Sequence, residues 1–528
     1  MRLFIKILLV SFFLLNSNCS GIENVTENEV TNETESKLDG IPQFIVEGLS
    51  DWDIPGLAIA IVHQDEVIFS EGFGVLHKER DELVTSETLF GVASTTKAMT
   101  ATVLGILVDQ GKLNWDDAVV DYLPDFRLHD DWVTSHITVR DLLTHRSGYG
   151  RMTGNRLQYM THEPRSELLY RLRYLEPEAE FRTRYVYSNM MYMVAGEVIR
   201  SAGGFESWDD AIQQLLFEPL GMHNTNTSIT QIADDDNAAW PHQYIKGEVV
   251  PIPRRNFDNV GASASVNTSA DDFARWIRFN LGEAGVLDDN RIVSEQTMRE
   301  IFRSHMTITQ GNPYGDLVAY GLGWRLAYYN GIRTLSHGGA SDGMNTSFVI
   351  VPELDLGIVV MTNTFNLFRE ALVNTILDRF MQVDDARDWN QIYLDSYQRR
   401  FDAIMAERKA IHDSRTPDTK PTIAILNHAG SYYDSLYAQI EVFYDDGNLS
   451  IKFWDDETLI ADLEHWEDDV WRAVWRNPAQ REKFVEFIIE DSQIKSLDIT
   501  FNLRPQLLQV GVYPSNYTRT VSFIPQGN

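Results

Sequence analysis

Cysteine is almost missing from this 528-residue chain, Cys19 being the single one. No disulfide framework is open to it, and the folded part has no thiol chemistry. Positive charge is also scarce: 45 lysines and arginines face 77 aspartates and glutamates, a formal net charge of −32. That excess argues against nucleic acid and anionic membrane surfaces as partners. Long apolar runs are lacking as well. The run from Ile7 to Leu15 follows Arg2 and Lys6, gives way to Ser17, Cys19 and Ser20, and is too short to span a bilayer. Residues 1–20 therefore read as a signal peptide, and the mature chain is expected outside the cytoplasm with no transmembrane segment. In a bacterial setting, Cys19 would be a lipid attachment point or the protein periplasmic. Metal-binding patterns are absent too: there is no His-Glu-x-x-His, no paired-cysteine motif and no EF-hand loop, and Asp234-Asp235-Asp236-Asn237 reads as a polar loop. Neither a metal nor a cofactor is expected.

What is present is a large stock of core-forming residues, 43% of the chain, enough for two domains. Residues 21–40, carrying Glu23, Glu27, Glu29, Glu33 and Glu35 with few apolar side chains, read as a disordered acidic linker. Seven Asn-x-Ser/Thr acceptors accompany the export signal: Asn24, Asn32, Asn226, Asn267, Asn345, Asn448 and Asn516. Asn345 is expected to be the least occupied, because a glycan so close to His337 would obstruct a pocket mouth.

From Ile41, strand patterns at Gly56–Val62 and Glu66–Phe69 precede helices, and an Asn330-Gly331 turn joins strand patterns at Leu322–Tyr329 and Ile332–Ser336. Further strands at Thr346–Val351 and Leu356–Met361 and a helix at Leu367–Phe380 complete an α+β, or mixed α/β, domain over residues 41–384. A helical connector spans 385–421, with Pro417 and Pro421 at its end. Residues 422–528 form a separate small β domain, with strands at Ile440–Tyr444, Leu449–Trp454, Phe484–Ile489 and Leu497–Leu503 and with Trp466, Trp471 and Trp475 between them.

The chemistry concentrates at Ser94-Thr95-Thr96-Lys97. A serine hydroxyl needs a base within hydrogen-bond reach to become a nucleophile. If a helix starts at Ser94, the three-residue spacing sets Lys97 one turn away on the same face, and the helix N-terminus with partial burial pushes the lysine toward its neutral form. Spacing alone is not specific, since Ser492-Gln493-Ile494-Lys495 repeats it among strand-forming residues, where it reads as a turn. Tyr187 and Asn189, before a second helix ending at Gly203-Gly204, supply a second proton-handling group and a polar contact. His337-Gly338-Gly339-Ala340 lies at the end of a strand, where glycines let a substrate backbone come close.

In this order and context, Ser-x-x-Lys opening a helix, Tyr-Ser-Asn before another and His-Gly-Gly on a late strand, the sequence resembles the serine β-lactamase and penicillin-binding-protein superfamily. The similarity is to the branch of class C β-lactamases, D-aminopeptidases and related esterases. It covers about residues 41–384, including Leu142–Gly148 and Glu218-Pro219-Leu220-Gly221-Met222. The resemblance implies that Ser94 forms an acyl-enzyme, that Lys97 and Tyr187 share the acid and base work, and that Asn189 binds the substrate amide. It also implies an oxyanion hole from the backbone N–H groups of Ser94 and Ala340. His337 and Gly338 stand where β-lactamases carry the lysine and threonine that serve the substrate carboxylate, so a peptidase or esterase is expected rather than a true β-lactamase. A histidine near its ordinary pKa of about 6.5 would read substrate charge with pH. The small β domain resembles the C-terminal β-barrel appendages of such relatives. The expected substrate is a small molecule or peptide, including D-amino-acid peptides. A second reading stays open: a non-enzymatic acidic secreted protein, associated with the extracellular matrix, that keeps the fold for binding.

Overall fold

The computed structural model describes residues 36–150, 154–160, 163–233, 235–308, 318–384, 387–445, 447–454, 456–477, 480, 483–502 and 518–526. The expected signal peptide, most of the acidic linker and the acceptors Asn24, Asn32 and Asn516 lie outside them.

Helix α1 (Ile41–Asp51) leads into β1 (Gly56–His63) and β2 (Glu66–Gly74). Six later strands, β3 (Met306–Thr307), β4 (Ala319–Tyr320), β5 (Arg325–Tyr329), β6 (Ile332–Ser341), β7 (Met344–Val351) and β8 (Leu356–Thr362), complete an antiparallel sheet in the order β2-β1-β8-β7-β6-β5-β4-β3. The chain thus begins and ends its sheet on neighbouring strands beside the β2 edge, with β1 paired to β8 from Leu57↔Thr362 to His63↔Leu356. Both faces of this pair are covered, and the two-residue period of a strand sorts the side chains. Leu57, Ile59 and Ile61 face one apolar layer with Ile358 and Val360, against α1 and the helix α6 defined below, whereas Ala58, Ala60 and Val62 join the other layer with Val359 and Met361. This explains why β1 reads as a continuous apolar run and not as an alternation.

On the second face sit α2 (Thr96–Asp109), α3 (Val139–Leu143), α4 (Asn189–Gly203) and α5 (Ala270–Asn280). The residues from Thr96 to Leu107 of α2 are all buried, so α2 is a central helix with no polar face, ended by Gly111 at φ 67°. The capping box at Thr138 is formed, its side chain meeting the Asp141 N–H and the Asp141 carboxylate meeting the Thr138 N–H. α6 (Phe368–Phe380) closes the domain, and α7 (Trp389–Asp413) leads away from it.

The C-terminal part is a closed eight-stranded antiparallel barrel, and four of its strands escape the sequence patterns. The strands are Gly430–Asp434, Ala438–Asp445, Asn448–Phe453, Ile460–Glu467, Val470–Trp475, Lys483–Glu490, Gln493–Asn502 and Thr518–Pro525. Trp466, Trp471 and Trp475 belong to strands, and do not lie between them as the sequence suggested. Ser492, at φ 60°, sits with Asp491 in a tight hairpin turn.

Candidate active site

Ser94 lies in a single 3-10 turn, Ala93–Thr95, immediately before α2. The helix cap falls on Thr95 without a side-chain bond, so Ser94 is not an N-cap serine. Ala93 is held at φ 46°, a conformation costly for a residue with a Cβ, which aims the next side chain out of the helix path. Ser94 Oγ is 3.1 Å from Lys97 Nζ and 2.8 Å from Tyr187 Oη. Lys97 is fully buried; its Nζ donates to the Ser263 carbonyl at 2.8 Å and lies 4.9 Å from the Tyr187 ring centre. The segment carrying Ser263 is tied to the nucleophile turn, since Val92 N–H donates to Val266 O and Val266 N–H donates to Thr96 Oγ1.

Tyr187 is clamped by His145 from the Leu142–Gly148 stretch. The His145 carbonyl accepts from Val186 N–H at 2.7 Å and its Nδ1 accepts from Ser188 N–H at 3.1 Å, so the residues on either side of Tyr187 are both held by one residue. The His145 ring also packs 4.2 Å from the Tyr187 ring. Asn189 opens α4 and donates through Nδ2 to Gln158 Oε1 at 3.0 Å. Gln158 and Ser263 carried no sequence signal of their own, and His145 was given no role within Leu142–Gly148, because each reaches the site through tertiary contact.

The His337–Ala340 stretch forms the far wall. β5 pairs with β6 only as far as Ser336, so among the described residues no strand flanks 337–341 on that side, and the Ser94 turn packs there instead. A Cβ at Gly339 would fall 2.0 Å from Val92 O, and this close approach requires glycine. Beside the turn lies a small cleft of about 40 Å³, walled by Ala93, Met344, Phe257, Ile229, Arg255 and Asp342. Among the described residues no three His, Cys, Asp or Glu side chains come together as metal ligands.

A family model described as Beta-lactamase matches residues 41–380. The chain belongs to the beta-lactamase family. A second family model, the domain of unknown function DUF3471, matches residues 414–510, over most of the barrel. Among curated relatives, the unguisins hydrolase ungD' of Aspergillus campestris is 29% identical over 441 residues, covering 79% of this chain and 80% of that protein. Protein flp of Staphylococcus aureus is 27% identical over 343 residues, 63% of this chain and 64% of that protein. Among solved structures, the octameric penicillin-binding protein homologue from Pyrococcus abyssi matches in fold with a TM-score of 0.58 at 21% identity, over 88% of this chain and 98% of that one.

Within this beta-lactamase fold, two expectations about the site need correction. His337 does not titrate near neutral pH. It is buried, its Nδ1–H donates to the Gly338 carbonyl at 2.8 Å, and the Tyr320 hydroxyl donates to its Nε2 at 2.8 Å. Burial first, and the charge of Lys97 second, pull its pKa down to about 3, so it stays neutral and cannot report substrate charge as pH changes. Asn345 does not sit at a pocket mouth either. It is 1% exposed, with its side chain turned into the fold. Asn267 is likewise buried and donates to Asn226 Oδ1 at 2.9 Å, which leaves Asn448 as an exposed acceptor among the described residues.

Proposed function

We propose that this chain is a secreted serine hydrolase that acts by acyl transfer on peptide, amide or ester bonds. The observation that carries the reading is a single oxygen, Ser94 Oγ, with Lys97 Nζ at 3.1 Å and Tyr187 Oη at 2.8 Å. Lys97 takes the Ser94 proton as Oγ attacks the carbonyl carbon, and Tyr187 delivers a proton to the leaving nitrogen or oxygen. The roles reverse when water attacks the ester. The developing oxyanion meets the N–H groups of Ser94 and Ala340. The Asn189–Gln158 pair holds the substrate amide.

Peptide-like substrates are favoured over β-lactams because the wall at 337–338 offers a neutral imidazole and a glycine, and so no cation for a carboxylate. The names of the Aspergillus relatives as hydrolases of unguisins support hydrolysis as the activity. Secretion is supported by the sequence of residues 1–20, and among the described residues no helix is long and apolar enough to cross a membrane. Mass spectrometry after exposure to a fluorophosphonate tests the reading. An adduct on Ser94 is expected; an unlabelled, folded protein would favour the non-enzymatic binding role.

A further inference from the structure

The peptide between Gly339 and Ala340 has two ends with different neighbours. Its carbonyl, on Gly339, points toward β7 and accepts a hydrogen bond from Asn345 Nδ2 at 2.9 Å. A trans peptide sets N–H and C=O in opposite directions, so the Ala340 N–H points away from β7, to the side on which the Ser94 turn packs against β6. Asn345 stands directly opposite Ala340 in the β6–β7 ladder and is itself held from behind. Its Oδ1 accepts from Arg369 Nη1, and that buried guanidinium also donates to the Asn366 carbonyl and pairs with Glu370.

From this chain of contacts we infer that Asn345 is a positioning residue for the oxyanion hole, acting through the 339–340 peptide with Arg369 behind it. The inference rests on the acyl-transfer reading of Ser94. Its physical basis is twofold. A carbonyl that accepts a hydrogen bond polarises its amide, which makes the N–H at the other end a better donor, and a cation at the head of the chain adds to that polarisation. The same bonds fix the orientation of a strand end that, among the described residues, has no β5 neighbour to hold it. Asparagine suits the position because one planar group must accept from Arg369 and donate to Gly339; aspartate can only accept, and leucine can do neither. The Nδ2 that a glycan would need is thus engaged inside the fold.

The test uses the full chain and p-nitrophenyl acetate labelled with carbon-13 at the carbonyl, following acylation of Ser94 by rapid mixing and the acetyl-enzyme carbonyl stretch by infrared difference spectroscopy. Asn345→Asp keeps the shape and the contact with Arg369 but loses the donor. It is expected to acylate about tenfold more slowly, a fraction of the loss seen when an oxyanion donor is removed outright. KM and the pH profile of acylation should stay close to native, and the carbonyl stretch should move to higher frequency. A merely structural role would change the melting temperature without moving that stretch. Arg369→Gln, which keeps a donor and removes the charge, should shift the stretch in the same direction by less, and it carries the test if Asn345→Asp does not fold. A native rate and a native frequency in a folded variant would overturn the assignment while leaving Ser94 as the nucleophile. Failure of the native protein to acetylate Ser94 would overturn the underlying reading, and this inference with it.

Discussion

The chain writes Ser-x-x-Lys twice, at 94–97 and at 492–495, and folds the two copies into opposite circumstances. The first sits on a 3-10 turn that feeds a buried helix, and its two side chains meet at 3.1 Å over a third group, Tyr187. The second straddles a hairpin turn, with Ser492 at φ 60° and Lys495 on the following strand. The same serine and lysine at the same spacing therefore say little until the backbone around them is known. The chemistry comes from the turn that aims the serine, the desolvated wall behind the lysine, and the partners that arrive from distant segments.

Substitutions at matched positions of the two copies are the sharpest way to break this comparison. Ser94→Ala should abolish fluorophosphonate labelling, whereas Ser492→Ala should leave it at the native level; labelling retained in Ser94→Ala, read by peptide mapping, would remove the distinction. Lys97→Ala should slow labelling at least about a hundredfold, the usual range for losing a positioned base, and Lys495→Ala should not slow it. Tyr187→Phe removes the hydroxyl but keeps the ring against His145. A loss of about thirtyfold in kcat on an amide is expected, and a smaller loss on an activated ester whose leaving group needs no proton. A comparison of the two substrates separates proton delivery from packing.

The smallest effect concerns stability and His337. In the folded chain its pKa lies near 3, against about 6.5 when unfolded, so between those values the unfolded chain binds the extra proton. Stability from this group is therefore complete above about pH 6.5 and falls as the solution is acidified toward pH 3. At pH 5 the loss amounts to about 2 kcal/mol, taking about 1.4 kcal/mol per pH unit. His428, buried in the barrel, is shifted downward for the same first reason, desolvation, and adds to the loss. In urea titrations, His337→Asn should flatten the fall between pH 7.5 and 5; a slope equal to native would show that the imidazole is not kept neutral by the fold.

Legibility in the sequence followed the range of the interaction. Ser94, Lys97 and the Asn330-Gly331 hairpin were readable because each is decided by neighbours within about one turn. The neutral state of His337 was not readable, since it depends on burial in the folded sheet and on the charge of Lys97 from a distant helix. Nor was the burial of Asn345, an acceptor by its triplet and an interior bridge by its place in the sheet. In the barrel, Gly430–Asp434 was missed because a five-residue strand with one tyrosine on each face leaves little alternation to count, and only ring closure makes it a strand. His145 lay in plain view inside Leu142–Gly148, but its grip on Tyr187 joins two segments about 40 residues apart, which spacing rules do not reach.

The closure of the barrel has one more consequence. Its first strand pairs with its last, Tyr432 opposite Pro525, so the chain enters and leaves the ring at adjacent points. The ring also touches its host away from the connecting helix, where Arg171 donates to the Ser435 carbonyl at 2.9 Å. Adding or deleting it is one genetic event, and neither step strips a neighbour from the catalytic sheet or bares a strand edge that another molecule could grasp. The ring is in that sense portable, though its removal would leave Arg171 without the Ser435 carbonyl.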